Sequence, residues 1–357
     1  MCYNRVVTVS LVFTVKNEAD ALPRLLDSIA AQTRAPDEIV VVDGGSTDAT
    51  LTILANRAQD MAMKIIALPG ANISQGRNAA IRAARGDIIC ATDAGVRLEP
   101  CWVEELAKPL EESTPKAEGT LRGSKDVKAD SSFRPPPSTF DVVAGFFVPD
   151  PHGVFEISLA ATTLPVLADI DPQKFLPSSR SVAFRKRAWE RVNGYPEWID
   201  FCEDLLFDFA LRRAGFRFTF APSALAHFRP RPNLRAFFKQ YYQYARGDGK
   251  ADLWFLRHVI RYSTYLSVLP LTLALLVFGL WDWRIGLLGF GILVLGFIAM
   301  FFTSYKRLLP MLCPLPFDEK LRAVAWVPII RATGDLAKML GYPVGVVWRM
   351  KHRKDSR

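Results

Sequence analysis

Cysteine is scarce: there are five in 357 residues, at positions 2, 90, 101, 202 and 313, an odd number with no C-x-x-C spacing. That argues against a disulfide framework or a zinc knuckle and fits a reducing compartment. The first 30 residues do not read as a secretory signal either. The apolar run from Val6 to Val15 is short and is followed at once by Lys16-Asn17-Glu18, which suits a buried strand. Charge is absent from two stretches, Ser263–Trp281 and Ile285–Tyr305, of 19 and 21 residues. Each is long enough to cross about 30 Å of hydrocarbon. Only Asp282-Trp283-Arg284 separates them, so they form a tight hairpin with both outer ends on one side. Arg257 and Arg261 flank one outer end, and Lys306 and Arg307 the other. The positive-inside rule puts those ends, and the domain before them, in the cytosol. The competing reading is a pair of buried core helices.

The formal net charge is +9. From Leu256 onward there are 14 Lys and Arg against 5 Asp and Glu, while the rest of the chain balances at 31 of each sign. The excess therefore belongs to the apolar C-terminal third, a pattern that suits the anionic face of a membrane better than nucleic acid. Trp326–Trp348 mixes apolar residues with Arg331, Asp335 and Lys338 and runs into the basic stretch Arg349–Lys354. This reads as an interfacial helix rather than a third span. The division expected is a catalytic domain over 1–255, a transmembrane hairpin over 256–310 and an interfacial segment with a basic tail over 311–357.

Within residues 6–110, β-branched runs alternate with amphipathic stretches. Val6–Val15, Glu38–Asp43, Lys64–Leu68 and Asp87–Thr92 read as strands; Ala19–Gln32, Asp48–Gln59 and Ser74–Ala84 read as helices. That alternation predicts an α/β fold with a mostly parallel, Rossmann-like central sheet, whose ligands sit at the carboxyl ends of the strands. Residues 113–139, rich in Ser, Lys, Gly and Pro, read as a flexible insertion. Helices are expected at 202–214, with a core face of Leu205, Leu206, Phe209 and Ala210, and at about 233–246, ending at Arg246-Gly247-Asp248-Gly249.

Three strand ends carry chemistry-bearing residues. Thr14-Val15-Lys16-Asn17-Glu18 closes the first strand, and Asp43-Gly44-Gly45 closes the second ahead of a helix with free N–H groups. The fourth strand ends in Thr92-Asp93-Ala94-Gly95, and Gly76-Arg77-Asn78 is read in the turn before it. Taken singly, each fits a tight turn or a helix cap. Glu203-Asp204 opens a later helix, where two acids favour the helix dipole. The aromatics Phe237, Phe238, Tyr241, Tyr242 and Tyr244 read as packing or membrane-interface anchors.

The ordered set T-V-K-N-E, V-V-D-G-G-S-T-D, G-R-N-A-A-I-x-A-A-R-G-D, T-D-A-G, F-C-E-D-L-L-F and Q-Y-A-R-G resembles family 2 of the glycosyltransferases, with the GT-A fold, over about residues 7–255 apart from the insertion. The resemblance implies inverting transfer from a nucleoside-diphosphate sugar, most often a UDP-sugar. Lys16, Asn17, Glu18, Asp43, Gly44, Gly45 and Arg77 would bind the donor, with Asp43 on the base and Glu18 near base and ribose. Asp93 matches the first acid of the D-x-D that holds Mn²⁺ or Mg²⁺ against the diphosphate, and His227 matches a position where some relatives supply a further metal ligand. Gly95 stands where the second acid would be, which leaves a weaker cation site. Asp204 matches the base that takes the proton from the acceptor hydroxyl, with Glu203 orienting the site. Gln243 and Arg246 match part of the Q-x-x-R-W motif, Arg246 pairing with the diphosphate, but Gly247 replaces the tryptophan and weakens the case for a long-polymer synthase.

The leading expectation is an inner-membrane, multi-pass transferase whose acceptor is lipid-linked or membrane-proximal, in cell-envelope or exopolysaccharide synthesis. Arg229, Arg231 and Arg235 would meet lipid phosphates or headgroups. A bare polyprenyl phosphate as acceptor, or a nucleotide-binding membrane protein without catalysis, are the alternatives. No nucleic-acid partner is expected.

Overall fold

The computed structural model describes residues 7–112 and 140–352. The expected insertion at 113–139 and the end of the basic tail lie outside the described residues. The first strand, β1 (Val9–Val15), carries its apolar side chains on both sides: Leu11 and Phe13 enter one core cluster, and Val12 enters another. A strand covered on both faces needs no polar alternation, which is why Ile39–Val42 of β2 (Glu38–Asp43) is a continuous apolar run and β1 is apolar apart from Ser10 and Thr14. Between them, α1 (Leu22–Ala30) buries Leu22, Leu25, Leu26 and Ile29 along one stripe. The chain continues through α2 (Thr50–Arg57), β3 (Met63–Ala67), α3 (Ile73–Ala83), β4 (Ile88–Ala91), β5 (Val96–Leu98) and α4 (Trp102–Glu112). After residue 140 come β6 (Val142–Pro149), α5 (Val154–Thr163), β7 (Val182–Arg185), α6 (Lys186–Arg191), α7 (Glu203–Arg213) and β8 (Phe218–Phe228).

The strand order is β3-β2-β1-β4-β7-β6-β8-β5. β3, β2, β1 and β4 pair in parallel, as the βα alternation predicts. β4 with β7, β7 with β6, and β5 with β8 are antiparallel, so the sheet is mixed. Its antiparallel half comes from strands that the periodicity left unread.

The chain divides into two compact units. The first, residues 1–148 and 170–228, contains the sheet and the helices beside it. The second, residues 149–169 and 229–357, is helical and holds α5, α8 (Leu234–Ala251), α9 (Phe255–Ser263), α10 (Leu269–Phe278), α11 (Trp283–Leu312) and α12 (Phe317–Lys351).

In the helical unit α8 does not stop at Arg246; it runs on to Ala251, and its Gly249 faces α12. A Cβ on Gly249 would stand 2.3 Å from the Tyr342 carbonyl oxygen, and one on Gly345 would stand 2.1 Å from the Arg246 carbonyl oxygen. The Arg-Gly-Asp-Gly stretch is thus a backbone-to-backbone packing seam rather than a helix stop. α9, a π-helical turn at Thr264–Val268 and α10 make one continuous 24-residue run, and α11 makes one of 30 residues, with mean hydropathies of 1.4 and 2.6. Both are long and apolar enough to cross a membrane, and the first begins at Phe255, eight residues before the charge-free stretch. Their joint is tight: a Cβ on Gly279 would meet the Gly286 Cα at 2.3 Å, and the Asp282 carboxylate accepts the Arg284 N–H at 2.9 Å. Only 6% and 11% of the two apolar windows are buried, which does not match the core-helix alternative. α12 is a single 35-residue helix that takes in all of 326–348. Its internal charges are matched locally: Asp335 accepts from Arg261 at 2.7 Å and from the Tyr265 hydroxyl at 3.1 Å, and pairs with Arg331 at 3.2 Å.

Candidate active site

The tips of β1 and β2 are laced together. Asn17 sits at a left-handed φ of 56°; its N–H donates to Ser46 Oγ at 2.9 Å, and its side-chain oxygen accepts the Thr47 N–H at 2.8 Å. The Glu18 N–H donates to Thr50 Oγ1 at 2.9 Å. Asp43 is buried under this turn, where its carboxylate accepts the N–H groups of Gly45 at 3.0 Å and Ser46 at 3.1 Å, together with the Ser46 hydroxyl. In this structure Asp43 therefore holds the turn that Gly44 and Gly45 form, while Lys16 and Asn17 are exposed at its rim.

Gly76-Arg77-Asn78 lies inside α3, not in the turn that follows it, and both Arg77 and Asn78 are buried. Asn78 is scaffold: its amide group donates to the Tyr195 carbonyl and to Glu197, both at 2.8 Å, and its oxygen accepts from Trp189 Nε1 and the Tyr195 N–H. Gly194, at φ +77°, completes that cradle, since a Cβ there would stand 2.6 Å from the Asn78 oxygen.

Arg77 is the hub. One guanidinium nitrogen donates to Glu203 at 2.8 Å, the other donates to Asp93 at 2.7 Å, and the group lies 5.4 Å from the Tyr195 ring centroid. The second Asp93 oxygen faces Arg180 Nε at 3.5 Å. Arg180 lies just before β7, over the Phe228 ring, and its backbone is pinned by a bond from the Thr92 hydroxyl to its carbonyl at 2.9 Å. Thus the tip of β4, the middle of α3, the start of α7 and the approach to β7 converge on one cluster of charge.

α7 faces inward by Glu203, Phe207, Asp208 and Leu211, rotated from the expected face of Leu205, Leu206, Phe209 and Ala210. Phe207 stacks on Tyr195 with ring centroids 4.1 Å apart, and this contact turns the Glu203 side of the helix into the protein. The helix is entered through Cys202 at φ 68°, a left-handed conformation held without glycine immediately before the acid pair. Burial pushes the Glu203 carboxyl up to about 7 against the pull of Arg77, with Asp204 adding to the rise. Burial also raises Asp204, opposed by Arg77, and raises Asp208 well above the carboxylate range, with Asp204 reinforcing it. Burial alone would lower Arg77, but Asp93 and Glu203 outweigh it and hold the guanidinium charged. The site is therefore a fixed cation among carboxyl groups whose proton affinities are raised by burial, the environment in which acid–base groups are found.

The divalent cation implied by the resemblance needs oxygen donors free of other cations. Here both Asp93 oxygens face guanidinium groups, and residue 95 has no side chain. His227, opposite Arg97 in the β5–β8 pairing, has its Nε2 2.7 Å from Glu99. No group of three His, Cys, Asp or Glu able to hold a metal occurs among the described residues. As arranged, these residues do not fit a divalent cation. Gln243 and Arg246 are half-buried on α8, within the helical unit. Arg180, Tyr195 and Asp208 were not singled out from the sequence: none stands in a spaced motif, and only the folded chain gathers them.

Residues 10–143 match the family described as Glycosyl transferase family 2, and residues 172–317 match Glycosyl transferase family group 2. Among curated relatives, the chain is 34% identical over 137 residues to an undecaprenyl-phosphate 4-deoxy-4-formamido-L-arabinose transferase of Pseudomonas fluorescens (strain Pf0-1), which is 36% of this chain and 39% of that protein. It is 32% identical over 141 residues to the protein of the same name in Photorhabdus laumondii, covering 38% and 42%. The chain thus spans about two fifths of the length of these relatives. Among solved structures it is similar to a mannosyltransferase, PcManGT from Pyrobaculum calidifontis, in complex with GDP-Man and Mn²⁺, at 18% identity and a TM-score of 0.49, covering 98% of this chain and 88% of that one. It is also similar to S. aureus TarS 1–349 in complex with UDP, at 16% identity and a TM-score of 0.43, covering 98% and 92%.

Both matches, over separate stretches of the chain, are to glycosyltransferase families. The first takes in the parallel half of the mixed sheet, and the second takes in β7 and β8.

Proposed function

We propose that this protein is an inverting transferase that moves a sugar from a nucleoside-diphosphate donor to the hydroxyl of a lipid-linked or membrane-proximal acceptor. The observation that carries this reading is the Arg77 bridge, which ties Asp93 at a parallel strand end to Glu203 beside Asp204. Donor-side and acceptor-side groups are thereby fixed within one network. In the proposed reaction Asp204 takes the proton from the acceptor hydroxyl as its oxygen bonds to the anomeric carbon. The bond from that carbon to the diphosphate breaks on the opposite face, its electron pair leaving with the nucleotide. A carboxylate raised by burial is a stronger base than an exposed one, which suits a weakly acidic alcohol. Glu203, held by Arg77, orients the start of α7. The exposed residues of the Asn17–Thr47 rim, with Glu18 and the Gly44–Gly45 turn, would receive the nucleotide.

The apolar runs Phe255–Phe278 and Trp283–Leu312 support anchorage in a membrane, with the catalytic unit and the basic flanks Arg257, Arg261, Lys306 and Arg307 on the cytosolic side. Arg229 forks onto Glu156 at 2.7 and 3.0 Å, so among Arg229, Arg231 and Arg235 the proposed phosphate contacts fall to Arg231 and Arg235.

A second reading follows from the names of the curated relatives: the acceptor is polyprenyl phosphate itself. That phosphate is already ionised and needs no base. The two readings part on one variant. With a lipid-linked saccharide as acceptor, Asp204→Asn loses about 10²- to 10⁴-fold in kcat, the usual contribution of a general base. With polyprenyl phosphate as the true acceptor, product forms on that lipid alone and the variant loses less than about tenfold.

A further inference from the structure

The cation-site residues pose a question of charge. The leaving diphosphate must be neutralised, yet the acid that would hold a divalent cation has both oxygens turned to arginines. Two guanidinium groups carry the same charge as one such cation. A divalent ion brought to Asp93 would stand against both of them, with no second acid at residue 95 to offset the repulsion.

Arg180 is suited to the task in a way that Arg77 is not. Arg77 is 3% exposed and divided between Asp93 and Glu203, whereas Arg180 is 24% exposed and so within reach of a ligand. Its mount is rigid: the Thr92 hydroxyl fixes its carbonyl, the Phe228 ring lies 4.5 Å from its guanidinium carbon, and neighbouring Ser181 bonds the Ala224 carbonyl and the Trp102 indole, each at 2.8 Å. A planar guanidinium on a fixed stem is the side chain best matched to a phosphate.

We propose that Arg180, backed by Arg77, receives the diphosphate of the donor in place of a divalent cation, and that donor binding is metal-independent. Asp93 then acts as a positioning residue that holds the two arginines in register until phosphate oxygens replace it. This rests on the transferase reading above.

The test is binding of UDP and GDP to the full chain in detergent micelles, by calorimetry, in excess EDTA and in Mn²⁺. The wild type is expected to bind one of the two with affinities in EDTA and in Mn²⁺ that agree within about twofold. Arg180→Ala is expected to weaken binding in EDTA about 10- to 100-fold, the range of one charge-assisted contact, and Arg180→Lys to recover part of it. Asp93→Asn separates the two roles: it leaves binding equal or tighter in EDTA and in Mn²⁺ alike if Asp93 restrains the arginines, and weakens binding in Mn²⁺ if Asp93 is a metal ligand. Retention of native thermal unfolding by Arg180→Lys and Asp93→Asn guards against misfolding. Binding that requires Mn²⁺ and is lost in Asp93→Asn, with a stoichiometric Mn²⁺ signal in paramagnetic resonance, overturns the proposal and leaves the transferase reading intact. Failure of UDP and GDP, and of dTDP tried in the same way, to bind under either condition overturns the two together.

Discussion

Glu203→Gln should change how stability depends on pH, and the direction follows from the structure. Glu203 is buried, and its pKa rises from an ordinary 4.5 to about 7 in the folded protein. The stabilising contribution of the protonated form is fully present below pH 4.5 and is lost as pH rises through about 7, because between those values the folded protein holds a proton that the unfolded chain has released. At about 1.4 kcal/mol per pH unit, the loss across that window is about 3 kcal/mol. Glutamine keeps an oxygen to accept from Arg77 but cannot ionise, so the variant lacks this loss. For a unit of this size about 3 kcal/mol corresponds to about 6–12 °C in Tm. The assay is thermal unfolding of the detergent-solubilised protein from about pH 5 to about pH 8, comparing variant and wild type at each pH. The variant should gain steadily on the wild type toward alkaline pH. Asp208, also raised by burial, gives both proteins a slope of the same sign that cancels in the difference, whereas Asp204 interacts with Glu203 and titrates lower in the variant once that neighbouring charge is gone. A difference in Tm that stays constant over the whole range refutes the reasoning.

Gly345→Ala inserts a Cβ about where the Arg246 carbonyl oxygen now sits, 2.1 Å away, so α8 and α12 must separate. Overpacking of this kind costs about 1–3 kcal/mol, read as a lower thermal midpoint. The rate of transfer should fall as pH drops through the raised Asp204 pKa, so the acid limb of kcat/KM lies above the ordinary carboxylate range, and it should be absent from the residual activity of Asp204→Asn.

The parallel half of the sheet was legible because a fully buried strand writes itself as a continuous apolar run, as in Val40-Val41-Val42. The antiparallel half was not. β7 is only Val182–Arg185, and β8 alternates so weakly that its partner β5 has no local signal in Val96–Leu98. The acids of the site were legible because they stand at strand ends and a helix start, the places where a chain exposes backbone donors. The arginines divide differently. Arg77 could be named, although its place within α3 could not, because a residue buried by tertiary contacts leaves no mark in local pattern. Arg180 sits in Ser178–Ser181, where composition says only loop, and its meaning arises from Asp93 and Phe228, which are distant in sequence. The same limit hid the α8–α12 seam: glycine in Arg246–Gly249 signals a helix end locally, and only the partner helix explains why the helix continues.

The central claim is that this chain transfers sugar from a nucleotide donor by a reaction that depends on Asp204. It is tested most directly by nucleotide release from UDP-, GDP- and dTDP-sugars, with a membrane lipid extract as acceptor, comparing wild type with Asp204→Asn. Release from one donor that falls at least about 100-fold in the variant, while donor binding is kept, is the predicted result. Release from no donor, or equal release by the two proteins, contradicts the account.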